Sequence, residues 1–179
     1  GNLGRAVIKT SAIAPARHLV EAPALVFDSQ ADFQDAYQRG DLAERDFVAV
    51  VRFQGPKANG MPELHKLTAP LGVLQSMGHK VALVTDGRMS GASGKVPAAI
   101  HICDEALDHG PLAYIQNGDI IRLNARAGTL EVKADITGRT AASNTIDRDD
   151  DNFGRNLFVT NRQAVTSAET GAMSVLPAI

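Results

Sequence analysis

Apolar and polar positions alternate in blocks along this chain, and the rhythm changes past its middle. Two early runs are apolar without a break, Phe47-Val48-Ala49-Val50-Val51 and Val81-Ala82-Leu83-Val84. Such runs predict strands covered on both faces, as in parallel sheets packed by helices. Strands are also predicted over 24–27 and, more briefly, around Ala6-Val7-Ile8. Between the first strands the period lengthens: Phe33, Ala36 and Tyr37 fall at i, i+3, i+4. Asp28-Ser29 supply a cap for that helix and Gly40 a stop. Leu64, Leu67, Leu71 and Leu74 form a second helical stripe, which Pro70 and Gly72 are expected to split. Pro62 suits a first helical turn, which would place Glu63 near a helix N-terminus.

Residues 54–61 and 86–95 are rich in Gly and polar groups and read as loops after strands. Asp104-Glu105-Ala106 opens a short helix or turn that Gly110-Pro111 closes. Beyond Pro111 the pattern predicts three strands, 112–115, 119–124 and 129–133, as a meander with turns at Asn117-Gly118 and Ala127-Gly128. Residues 138–154 read as a polar loop carrying the acidic run Asp147 to Asp151, and 158–168 as a last short helix.

Composition narrows the function classes. With 179 residues and 44% hydrophobic content, the chain can bury a core as one domain. The formal net charge of −2 and the absence of Trp argue against a nucleic-acid surface. No apolar run approaches the ~20 residues that span a bilayer. The single cysteine, Cys103, excludes an internal disulfide and an all-cysteine metal cage from this chain alone. It reads as a small half-buried filler, and His101 as a satisfied half-buried histidine. The chain begins Gly1-Asn2-Leu3-Gly4 without Met, so it is expected to be part of something longer. A lone thiol and no signal segment favour a cytoplasmic setting.

The segment Asp86-Gly87-Arg88-Met89-Ser90-Gly91-Ala92-Ser93-Gly94-Lys95 concentrates the chemistry. It is not a phosphate loop, because Met89 stands where the first Gly is required and Val96 where Ser or Thr must follow the Lys. Its glycines lack the spacing of a dinucleotide fingerprint. It still packs an acid, an Arg, two serines and a Lys at the carboxyl end of a buried strand, where open α/β sheets place ligands. Asp86 could orient the loop, and an ion pair between Asp86 and Arg88 within it is the structural alternative to substrate binding.

The run from Val84 to His101 resembles the signature of the dihydroxyacid dehydratase / 6-phosphogluconate dehydratase family. Gly1-Asn2-Leu3-Gly4 with Val7-Ile8-Lys9-Thr10, the stretch Arg52 to Leu64, and Asn117-Gly118-Asp119-Ile120-Ile121 resemble further motifs of its C-terminal domain, in order. Met89 followed by Ser93-Gly94-Lys95-Val96-Pro97-Ala98-Ala99 is similar to the 6-phosphogluconate branch. The match is loose over 139–179.

The resemblance implies an α/β fold of the swivelling β/β/α type, with a barrel-like, mostly β core and flanking helices. It implies a hydro-lyase, active only as part of a longer chain, that takes 6-phosphogluconate to 2-keto-3-deoxy-6-phosphogluconate in the Entner–Doudoroff route. Branched-chain dihydroxy acids and unphosphorylated aldonates are alternative substrates, and a non-catalytic binding module is the alternative class. Ser90 matches the catalytic base and Glu63 a Mg²⁺ ligand. Asp86, Arg88, Gly91, Ala92, Ser93 and Lys95 are the implied substrate contacts. The implied cofactors are Mg²⁺ and an iron–sulfur cluster (4Fe–4S ahead of 2Fe–2S) whose ligands lie outside this chain. The implied partners are a sugar-acid phosphate, the enzyme's own N-terminal domain and a second copy in a homodimer, with no nucleic acid and no membrane.

Overall fold

The computed structural model describes residues 1–90, 94–144 and 157–175. Seven strands form one mixed sheet in the order β1-β5-β4-β3-β2-β6-β7. They are β1 Arg5–Val7, β2 Leu19–Phe27, β3 Phe47–Val51, β4 Val81–Thr85, β5 Ala98–Cys103, β6 Ile120–Asn124 and β7 Thr129–Val132. β2 to β5 run parallel, while β1, β6 and β7 join antiparallel at the flanks. β2 serves two neighbours: Leu19 to Pro23 pair with β6, and Ala24 to Phe27 pair with β3.

The sheet curls into a nearly closed barrel. Its outer strands meet through Asn2, whose side-chain amide donates to the Val132 carbonyl at 2.9 Å and whose oxygen accepts the Val132 N–H at 2.8 Å. One side chain thus replaces a short stretch of ladder between the segment before β1 and β7, and so covers two strand edges. Alternation along the central strands serves two cores. Val48, Val50, Ala82 and Val84 face the barrel interior with Leu3, Ile102, Leu112 and Ile121. Phe47, Ala49, Val51, Val81 and Leu83 face outward against the helices.

Helices α1 (Gln30–Gln38) and α3 (Thr68–Ser76) supply that outer layer through Phe33, Ala36, Leu71 and Leu74. Ser29 caps α1, its hydroxyl accepting the Asp32 N–H. The break in the leucine stripe falls earlier than expected: a 3-10 turn at His65–Leu67 precedes α3, which runs unbroken through Pro70 and Gly72. Pro70 lies in the first turn, where its missing N–H has no partner to lose. The short helix α2, Pro56–Asn59, lies in the loop after β3, and α4, Val159–Ala164, in the last described segment.

The expected meander is instead a hairpin of β6 and β7. Pro111–Tyr114 is a 3-10 turn that buries Leu112 and Ala113 in the barrel without joining a ladder. The Asn117-Gly118-Asp119 motif ties β2 to β6: the Asn117 side-chain oxygen accepts the Val26 N–H, and Ala24 and Gly118–Asp119 exchange main-chain bonds. The Asp119 carboxylate accepts from Nη1 and Nη2 of Arg139, which holds the carboxyl pKa below the usual range. The acidic run Asp147 to Asp151 lies outside the described residues. Among the described residues, no helix is long and apolar enough to cross a membrane.

Candidate active site

Two loops meet at the carboxyl ends of β3 and β4, where parallel sheets leave a crevice. The first runs from Arg52 to Leu64 and the second from Asp86 onward. Asp86 locks them together. Its carboxylate accepts the N–H groups of Phe53 at 3.2 Å, Gln54 at 2.9 Å and Ala106 at 2.9 Å. These bonds hold Phe53 at φ +60°, a left-handed conformation costly for a residue with a bulky side chain. Asp86 has no exposed surface, and burial pushes its carboxyl above the ordinary range despite the three donors. Asp86, read as an implied substrate contact and as an acid that could orient the loop, takes the second position here: it is enclosed, and it organises the loops.

A second buried carboxylate supports the same assembly. Glu105 accepts the N–H groups of Lys57 and Ala58, both at 3.0 Å, and so occupies the N-terminus of α2. Burial also raises its pKa. The loops approach so closely that a Cβ on Gly87 would lie 2.7 Å from Gln54 Cβ, and one on Gly55 2.3 Å from a Glu105 oxygen. Behind them Arg52 donates to Asp28 Oδ1 and to the Ile115 carbonyl at 3.2 Å, with its guanidinium 5.5 Å from the Phe53 ring centre.

Glu63 is not on a helix. It pairs in strand-like fashion with Arg88, and the Leu64 N–H donates to the Arg88 carbonyl at 3.0 Å. Pro62 opens no helix; Glu63 lies two residues before the 3-10 turn at His65–Leu67 that leads into α3, near a helix N-terminus but outside it. Its carboxylate gathers the site. Oε2 accepts Arg88 Nη1 at 2.8 Å, and Oε1 accepts the Ser90 N–H. Arg88 Nε also donates to the Met61 carbonyl at 2.8 Å. The expected alternative of an Asp86–Arg88 pair does not form: Asp86 is taken up by three main-chain donors, and Arg88 by Glu63 and the Met61 carbonyl. Ser90 is exposed beside this pair.

Sequence reasoning therefore names three residues that the structure brings together: Glu63, Arg88 and Ser90. Gly91, Ala92 and Ser93 lie outside the described residues. Lys95 is exposed and lines a groove with Thr68, Val73 and Met77 of α3. It makes no ion pair or hydrogen bond with Glu63 or Arg88 among the described residues. Met89 accepts a hydrogen bond from Thr68 Oγ1 at 3.2 Å. His101 is half-buried at φ +58°, its N–H on the Gly87 carbonyl, and burial followed by the Arg88 charge lowers its pKa. Cys103 is half-buried, and burial pushes its thiol up. Glu105 and Arg52 had no signal in the sequence, since an acid after a strand and an Arg in a motif do not announce their loop partners.

Glu63 fits one protein ligand of Mg²⁺, a cation commonly held by one or two carboxylates with water and substrate completing the shell. Among the described residues no cluster of three or more His, Cys, Asp or Glu could enclose a metal. An iron–sulfur cluster does not fit this chain, whose only cysteine carries a raised pKa.

The family profile described as "Dihydroxy-acid/6-phosphogluconate dehydratase C-terminal" matches residues 1–172, and the chain belongs to this family. Among curated relatives, it is 58% identical over 174 residues to phosphogluconate dehydratase of Rhizobium meliloti (strain 1021), covering 96% of this chain and 28% of that protein. It is 57% identical over 176 residues to the phosphogluconate dehydratase of Pseudomonas aeruginosa, covering 97% and 29%. Against that of Escherichia coli (strain K12) it is 52% identical over 178 residues, covering 98% and 29%. The chain thus spans less than a third of the length of these relatives.

Proposed function

We propose that this chain is the C-terminal domain of a hydro-lyase that dehydrates 6-phosphogluconate to 2-keto-3-deoxy-6-phosphogluconate. The names of the relatives support the reaction. One observation supports the site: the Glu63 carboxylate joins Arg88 and Ser90, two residues of one motif, to the acid of another.

The reaction takes the C2 proton and the C3 hydroxyl from the sugar acid. The C2–H electron pair becomes the C2=C3 double bond as the hydroxyl departs and leaves as water. The resulting enol ketonises to the 2-keto acid. Ser90 Oγ is the proposed acceptor of the C2 proton. A serine hydroxyl is a poor base at neutral pH, so it needs positive charge beside it. Arg88 brings such a charge to the carboxylate that also binds the Ser90 main chain. The guanidinium fork also suits the substrate carboxylate or phosphate. Bound at Glu63, Mg²⁺ would supply positive charge there in its turn and a site for the substrate carboxylate. The ligands of an iron–sulfur cluster belong, on this reading, to sequence beyond these 179 residues. The same reading carries a cytoplasmic setting, an N-terminal partner domain and a homodimer.

Ser90→Ala in the full-length enzyme tests the base. Turnover of 6-phosphogluconate is expected to fall by roughly 10²- to 10⁴-fold, the usual worth of a general base. Near-normal turnover with cofactors intact would refute the assignment. Comparing gluconate and a branched dihydroxy acid as substrates tests the phosphate preference.

A further inference from the structure

The Glu63 carboxylate carries a cation already, and it belongs to the protein. Arg88 Nη1 lies 2.8 Å from Oε2, while the Ser90 N–H occupies Oε1. A neutral N–H and a metal ion can share a carboxylate, which offers about four lone-pair positions. A guanidinium and a divalent cation cannot do so without strong repulsion, because both are full positive charges within a few ångströms. We infer that Arg88 is the stand-in cation of this site: its guanidinium and a divalent metal exclude each other at Glu63, and the metal's arrival frees Arg88 for the anionic end of the substrate. This inference rests on the proposed assignment of Glu63 as a metal ligand.

The local architecture permits the exchange. The Arg88 main chain is pinned separately, by the bridge to Glu63 and the Leu64 N–H, so the side chain can leave without loosening the loop. That side chain is 49% exposed and therefore has room to swing. The second anchor it would give up is one hydrogen bond, from Nε to the Met61 carbonyl. Ser90 keeps its main-chain bond to Glu63 throughout, so the base stays placed while the charges around it are exchanged. Without metal, Arg88 neutralises an acid that would otherwise stand alone in the crevice. With metal, the planar fork becomes available for a carboxylate or phosphate. The coupling is reciprocal: metal favours substrate, and substrate, by holding Arg88 away, favours metal.

The test uses the full-length protein with Mn²⁺ as probe, free Mn²⁺ being counted by electron paramagnetic resonance in the absence of substrate. Arg88→Gln is expected to bind Mn²⁺ roughly ten- to hundredfold more tightly than wild type, within the ordinary range of coupling between two sites. Glu63→Gln is expected to bind it more weakly. Should Arg88→Gln fail to fold, Arg88→Met keeps the aliphatic stem and takes its place. Unchanged or weaker Mn²⁺ binding on loss of the guanidinium, with Glu63→Gln still weakened, overturns the exchange and leaves the metal assignment standing. Unchanged binding in Glu63→Gln overturns the metal assignment, and the exchange falls with it.

Discussion

Asp86 shows how one carboxylate can order two loops from inside the protein. Its carboxylate faces three main-chain donors from two loops, inside a volume that water does not reach. An amide there turns an NH₂ toward N–H groups, leaving at least one buried donor unpaired. Asp86→Asn is therefore expected to lose about 1–3 kcal/mol of stability, measured by denaturant unfolding of the full-length protein. The pH dependence has a definite sign. Burial raises the folded carboxyl, so the native state keeps a proton that the unfolded chain has already lost. This group's contribution makes stability fall as pH rises from the ordinary carboxylate value through the raised one. Asp86→Asn removes that part of the slope, and identical pH profiles for the two proteins would contradict it. The identity of Asp86 as a loop acid was legible in the sequence. Its direction was not, because residues 53, 54 and 106 meet it only after the chain has folded.

At the scale of elements, periodicity succeeded wherever burial imposed it. β3 and β4 are buried at every position, and their sequences are apolar at nearly every position for that reason. The leucine stripe packs as read, with Leu64, Leu67, Leu71 and Leu74 in the outer core. Leu112 to Ile115 misled, since a short apolar run marks burial and not the conformation that is buried. Pro62 misled for a related reason: it suits a helix start, yet the main chain of its neighbour Glu63 pairs with Arg88 and the helical turn begins only at His65. The barrel seam is an element made by one side chain. Asn2→Ala removes both bonds to Val132 and is expected to cost about 1–2 kcal/mol, with faster amide exchange at Val132 as the local readout. Unchanged exchange there would mean that the outer strands meet without Asn2.

At the scale of the whole molecule, the proposed function makes this domain the carrier of part of a reaction. It places a serine, an arginine and a carboxylate together at the carboxyl ends of parallel strands, and no cluster of three or more His, Cys, Asp or Glu among its described residues could enclose a metal. The 179-residue chain alone is accordingly expected to show no turnover of 6-phosphogluconate, even with Mg²⁺ and iron–sulfur reconstitution. A spectrophotometric assay of the 2-keto product checks this, and measurable activity would place the missing groups within the chain. The sequence by itself determined the two-faced strands, the helical stripes and the chemistry of the loop after β4. Those depend on local order along the chain, where spacing and residue type carry the information. Only the tertiary structure decided that Asp86 faces inward, that Glu63 answers Arg88, and that Asn2 closes the barrel. Each depends on which distant main-chain groups arrive within hydrogen-bond reach, and that is a property of the packed fold, invisible to a one-dimensional pattern.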